Sequence, residues 1–221
     1  MPAPRTFSQK PFKGPAGSTE LLLVRHGASA DAIEGAPFAL VGGHGDPPLS
    51  EVGLRQAELV AQRLMREEFE AIYVSNLRRT AQTAAPLAAR SGLTPVVETD
   101  LREVFLGQWE GGLIRQKVAD RDPLALRVFA EQRWDVVPGA EPAAAFRARL
   151  RDAVGRIAAA HVDSRVVVFS HAAAIGQIIA QASGAEPFAF TTADNASITR
   201  LIAAPDRWYV RGYNEITHLM D

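Results

Sequence analysis

Two histidines, two arginine positions and a glutamate carry the chemistry legible in this chain. His26 follows the apolar run Leu21-Leu22-Leu23-Val24 and one arginine, Arg25. His171 follows a second run, Val166-Val167-Val168-Phe169, and Ser170. A third run, Ala71-Ile72-Tyr73-Val74, leads through Ser75-Asn76-Leu77 into the pair Arg78-Arg79. Guanidinium forks match phosphate oxygens. A transferring phosphoryl group spreads charge over its equatorial oxygens, where positioned cations stabilise it. A neutral imidazole can attack phosphorus and form a phosphohistidine; from this pattern alone either histidine is a candidate. The leaving oxygen then needs a proton. Glu103, in the Gly-rich segment 101–112, is a candidate donor, with Glu110 and Asp46 as rivals of more structural character. His44 sits in a Gly-rich loop able to face a substrate, whereas His161 and His218 read as a helix-end and a tail residue.

Other chemistries fit less well. Two histidines and an acid can bind zinc, but the flanking arginines repel a cation, so no metal is expected. The chain has no cysteine, which excludes disulfides, thiolate zinc sites and cysteine nucleophiles and fits a cytoplasmic enzyme. Neither the P-loop nor the dinucleotide glycine spacing is present, and no cofactor is expected. A formal net charge of -1, with no basic stripe, argues against a nucleic-acid partner. No apolar run reaches membrane-spanning length, so no membrane partner is expected either. Oligomeric state is not encoded in any readable pattern.

The elements that must position these residues follow from periodicity. The first two apolar runs have the continuous character of strands buried on both faces. Each ends in a histidine, and ligands in α/β sheets bind beyond the carboxyl ends of strands. Residues 42–48 are too rich in Gly and Pro for a helix or strand. Ser50 is an N-cap for a helix carrying Ala57, Val60, Ala61 and Leu64. A second helix with an Ala-rich inner face spans 78–90, and Val96-Val97 marks a short strand. One or two helices fill 113–133, broken near Pro123. Pro142 opens a long helix whose apolar face is Phe146, Leu150, Ala153, Val154, Ile157 and Ala158. The helix after His171 runs to Ser183, with Gly184 as its cap. Residues 196–203 and 208–213 are two further strands joined at Pro205-Asp206. The alternation predicts an α/β fold, three layers α/β/α with a mostly parallel central sheet. Residues 1–18 read as a flexible arm, 19–221 as one domain, and 105–140 as a cap beside the site.

Arg25-His26-Gly27 after an apolar strand resembles the signature of the histidine phosphatase superfamily, the phosphoglycerate mutase-like proteins. Further segments agree in order. Asp46-Pro47-Pro48-Leu49-Ser50, with Gly53 and Gln56-Ala57, resembles the family's loop and first helix. Ser75-Asn76-Leu77-Arg78-Arg79, with Gln82-Thr83-Ala84, resembles its second motif. Leu101-Arg102-Glu103, with Gly107 and Trp109-Glu110-Gly111, resembles the acid-bearing motif. Ser170-His171 resembles the second-histidine motif and Asn195-Ala196-Ser197 the late strand. The resemblance covers about Thr19 to Leu201, most of the chain.

The resemblance implies His26 as nucleophile, with Arg25, Arg79 and His171 around the phosphate and Glu103 as proton donor. Arg79 takes the family position because it stands two after Leu77; Arg78 is the surface or salt-bridging member. Ala172, directly after His171, joins the phosphate side, and Ser29 and His44 are candidates for contact with the rest of the substrate. Ala28-Ser29 and Asp31-Ala32 stand where the family often has Glu-Thr and Trp-Asn, and Ala172 where it often has Gly. These departures, and the short spacing from Glu103 to His171, point to the phosphatase branch. The expected activity is hydrolysis of a small-molecule phosphate ester through a phosphohistidine. The alternatives are a mutase-type phosphotransferase and a weakly catalytic phosphate-ligand-binding protein.

Overall fold

The computed structural model describes residues 5–220. The first four residues of the N-terminal arm lie outside that range. The chain folds as strands β1 (Thr19–Arg25), β2 (Leu40–Val41) and β3 (His44–Gly45), helix α1 (Glu51–Leu64), strand β4 (Ala71–Val74), helix α2 (Arg78–Ser91) and strand β5 (Val96–Val97). Helices α3 (Leu113–Ala119), α4 (Pro123–Glu131) and α5 (Ala143–Ala160) follow, then β6 (Arg165–Ser170), α6 (Ala172–Ser183), β7 (Ile198–Ala203) and β8 (Trp208–Glu215). No helix among the described residues is long and apolar enough to cross a membrane.

The central sheet has the order β5-β4-β6-β1-β7-β8. The pairs β5/β4, β4/β6 and β6/β1 are parallel; β1/β7 and β7/β8 are antiparallel. The expected α/β architecture with a mostly parallel sheet is therefore what the chain forms. The continuous apolar runs make sense in this position, because β1 and β6 are covered on both faces. Leu21, Leu23, Val166 and Val168 pack with α5 and α6; Leu22, Val24, Val167 and Phe169 pack with α1 and α2. All eight are fully buried. Fully burying a side chain of this size contributes about 1.5–3 kcal/mol, so the strands that end in the two histidines are also those held most firmly. Their register aligns Arg25 with Ser170, which brings His26 and His171 to one sheet edge.

Several local expectations change. Residues 40–45 do form a hairpin: Gly42 and Gly43 adopt φ of 56° and 87°, and two left-handed residues close a two-residue turn between β2 and β3. The inner face of α2 is not Ala-rich; Arg79, Thr80, Thr83, Ala84 and Leu87 point inward. Pro142 is the N-cap of α5 rather than its first helical residue. Asn195 to Ser197 form a turn before β7, since Ala196 takes a left-handed φ of 60°.

The segment 105–140 folds around its own small cluster of Trp109, Ala125, Val128 and Val137. The arm has no regular structure from Arg5 to Pro15, yet Phe12 lies 5.5 Å from the ring of Tyr209 and 4.4 Å from the guanidinium of Arg211. Gly17 donates to Asp163 Oδ1 at 2.7 Å.

Candidate active site

The loop that carries His26 is fixed from several sides. The amide of His26 donates to Ser170 O at 3.0 Å, and the side-chain amide of Asn195 donates to His26 O at 2.9 Å. The amide of Gly27 donates to Thr83 Oγ1 and that of Ala28 to Gln56 Oε1. Ser50 caps α1 as expected, accepting from the amide of Gly53. Gly27 and Gly53 let the loop and the first turn of α1 approach without side chains. A Cβ on Gly27 would lie 2.5 Å from Gly53 O, and one on Gly53 would lie 2.0 Å from Ala28 O.

His26 is 7% exposed, and its Nδ1 donates to the carbonyl of Gly27 at 2.7 Å. A carbonyl only accepts, so the proton sits on Nδ1 and Nε2 keeps its lone pair. Burial and the nearby guanidiniums of Arg79 and Arg25 hold this imidazole well below its ordinary pKa. His171 is fully buried and likewise held well below its ordinary pKa, by burial and then by Arg79. Its Nε2 is 2.8 Å from Ser75 Oγ, and its Nδ1 has no partner among the described residues. The two rings stand 5.2 Å apart at 60°.

Arg25, His26, Arg79 and Glu103 all line one cavity of about 250 Å³, together with His44 and Ala173. Arg79 Nη1 donates to Gly45 O at 3.0 Å, and Arg25 donates to Ala193 O. Burial pulls both guanidiniums below their ordinary pKa. Arg78 instead pairs with Asp46: its amide donates to Asp46 Oδ1 and its side chain to Asp46 O, each at 2.8 Å. Asp46 thus caps α2 from outside, because Leu77 at the N-cap has no side-chain acceptor.

Glu103 stands at the start of α6. Its carboxylate accepts from the amides of Ala173 and Ala174, both at 3.1 Å, and from its neighbour Val104 at 3.0 Å. The first amides of a helix lack intrahelical partners. With those of Ala173 and Ala174 taken, the amide of Ala172 is the one left for an anion. Glu110 also lines the cavity, but both its oxygens are tied to backbone amides, of Gly45 and Leu106. His44 is buried, its ring 5.2 Å from Phe105, with Nε2 unpartnered among the described residues. Burial lowers its pKa, opposed by Glu110.

Three expected or overlooked placements stand out. Ser29 does not line the cavity; its Oγ accepts from Arg115 Nη2 at 2.7 Å. Arg115, on α3, lines the cavity and was not singled out in the sequence, where it is one arginine among many. Arg149 was missed too. It donates to the carbonyls of Asp100, Arg102 and Glu103 and forms a two-pronged pair with Glu141. A signal existed, since Arg149 lies between Phe146 and Leu150 on the inner face of α5. His161 ends α5 as expected and also bonds Glu70 and Tyr73.

Known proteins resemble this chain in sequence and fold. The metal-independent phosphoserine phosphatase of Arabidopsis thaliana is 32% identical over 208 residues, 91% of this chain and 83% of its own. Phosphoglycerate mutase-like protein 4 of the same plant is 31% identical over 205 residues, 90% of this chain and 86% of its own. The structure of a mycobacterial glucosyl-3-phosphoglycerate phosphatase superposes with a TM-score of 0.74 at 29% identity, covering 90% of this chain and all of that one. Residues 21–216 match the model of the histidine phosphatase superfamily, branch 1. This chain belongs to that family, and it is a phosphatase.

Proposed function

We propose that this enzyme hydrolyses a small phosphate monoester by passing the phosphoryl group through His26. The observation that carries this reading is the bond from His26 Nδ1 to the carbonyl of Gly27, which leaves Nε2 unprotonated beside the guanidiniums of Arg25 and Arg79. Nε2 attacks phosphorus in line with the ester oxygen. As the N–P bond forms, the P–O bond breaks, and the alkoxide takes a proton from Glu103. Arg25, Arg79, Nδ1 of His171 and the amide of Ala172 hold the equatorial oxygens. Water then gives a proton to Glu103 and attacks the phosphohistidine. The P–N bond breaks, inorganic phosphate leaves, and His26 returns to its neutral form. His44 contacts the remainder of the substrate, and the segment 105–140 acts as a cap. No cofactor takes part.

The related phosphatases described above are named for phosphoserine and glucosyl-3-phosphoglycerate, and both suit a cavity of about 250 Å³. The test is phosphate release from a panel of phosphoserine, phosphoglycerates, sugar phosphates and nucleotides by the wild type and by His26→Ala. Release by the wild type, absent in a folded His26→Ala, is expected. Interconversion of phosphoglycerates without release of phosphate would favour the mutase-type alternative.

A further inference from the structure

Among the described residues, Arg115 is the one cation that the segment 105–140 brings to the cavity, and the transfer of phosphate gives it no task. Its side chain is held in place: Nη1 donates to Ala30 O at 2.8 Å, Nη2 to Ser29 Oγ at 2.7 Å, and the guanidinium lies 5.8 Å from the ring centre of Phe38. Both acceptors are neutral oxygens. No carboxylate among the described residues pairs with Arg115, whose side-chain partners are Ala30 O and Ser29 Oγ. The same holds for Arg25 and Arg79, which rest on the carbonyls of Ala193 and Gly45. Three guanidiniums without a carboxylate in direct contact therefore face one cavity of about 250 Å³. The carboxylates on its wall, Glu103 and Glu110, are engaged by backbone amides instead.

A phosphate dianion neutralises two of these three cations. Arg25 ends β1 beside His26 and Arg79 lies in the first turn of α2, whereas Arg115 comes to the same cavity from α3. Arg115 thus stands on a different element from the phosphate-side pair but within reach of the same small ligand. The wall of the same cavity also carries the apolar side chains of Phe38, Leu106, Trp109, Ile114 and Trp134. A planar guanidinium with unused N–H donors matches a carboxylate better than it matches a neutral hydroxyl.

We infer that Arg115 binds a carboxylate on the substrate, so that the enzyme selects short phosphorylated carboxylic acids over uncharged phosphate esters of equal size. This rests on the reading of the cavity as a phosphatase site. Ser29 is a positioning residue in this scheme, holding the guanidinium at the cavity rim.

The experiment compares matched substrates: O-phosphoserine with phosphoethanolamine, and 3-phosphoglycerate with glycerol 3-phosphate. The wild type should favour the carboxylate member of each pair. Arg115→Gln should lower kcat/KM for the carboxylates by about 10- to 100-fold, the range for losing a hydrogen bond to a charged group. The loss should fall mainly on KM, and the carboxylate-free partners should change by less than about 3-fold, as expected of a residue remote from the transition state. Arg115→Lys should recover part of the loss, and Ser29→Ala should raise KM for the carboxylates alone. Equal loss on both members of a pair, no loss on either, or a wild-type preference for the carboxylate-free member would each overturn the assignment. Nitrophenyl phosphate serves as the control: if the wild type cannot hydrolyse it or any pair member, the phosphatase site itself is wrong and the inference falls with it.

Discussion

His26 and His171 stand edge to face with ring centres 5.2 Å apart, and each is oriented by a different partner, the carbonyl of Gly27 and the hydroxyl of Ser75. Both imidazoles are held well below their ordinary pKa, first by burial and then by Arg79. In the unfolded chain they protonate near pH 6.5, whereas in the native state they stay neutral to lower pH. The unfolded state therefore binds more protons in this interval. Stability should be complete above about pH 6.5 and fall as the pH drops, by up to about 1.4 kcal/mol per pH unit for each imidazole. Urea unfolding at pH 7.5 and 5.5 measures this. A double variant, His26→Asn with His171→Asn, should lose much of the slope; an unchanged slope would place its origin elsewhere.

Glu103→Gln replaces a carboxylate oxygen by a donor, which cannot accept from both Ala173 and Ala174. Alkyl phosphates need a proton on the leaving oxygen and nitrophenyl phosphate does not. Phosphorylation by alkyl phosphates should fall by about 10²–10⁴-fold, and phosphorylation by nitrophenyl phosphate far less. The pre-steady-state burst separates this step from the water step, which should slow for both substrates. Equal loss of burst rate with both would reduce Glu103 to a positioning residue.

Arg149 holds the loop that carries Glu103 by donating to three of its carbonyls, and its pair with Glu141 is largely buried. Removing one partner of a buried ion pair costs about 3–5 kcal/mol. Arg149→Leu should lower stability by that order and reduce turnover of alkyl phosphates more than of nitrophenyl phosphate. Thermal melts and the same two substrates test this. A uniform loss of activity in proportion to unfolded protein would mean a purely structural role.

Gly53 does not line the cavity, yet a Cβ there would sit 2.0 Å from Ala28 O. Gly53→Ala should therefore displace the loop after His26, costing about 1–3 kcal/mol by overpacking and reducing kcat. Wild-type melting and turnover in this variant would show that the loop has slack.

The strands and the two histidines were legible because their signal is local. Continuous apolar runs ending in Arg25-His26 and Ser170-His171 report strands buried on both faces. The caps at Ser50 and Gly184 were readable for the same reason. The hairpin at 40–45 was not, because its glycines break regular structure and close a two-residue turn equally well. Nor was the polar inner face of α2, where Thr80 and Thr83 bond backbone carbonyls that periodicity does not reveal. Arg115 was invisible for a stronger reason. Its anchors, Ser29 and Ala30, lie 86 and 85 residues away in sequence, and only the fold brings them together.

The central claim is that the phosphoryl group passes through His26. Rapid quench into alkaline detergent with a ³²P-labelled aryl phosphate, followed by mapping of the labelled peptide at alkaline pH, tests it most directly. The prediction is an acid-labile, base-stable label on His26 that forms faster than steady-state phosphate release and is absent from a folded His26→Ala. A label on His171 or on a carboxylate, or undiminished turnover by His26→Ala, would contradict it.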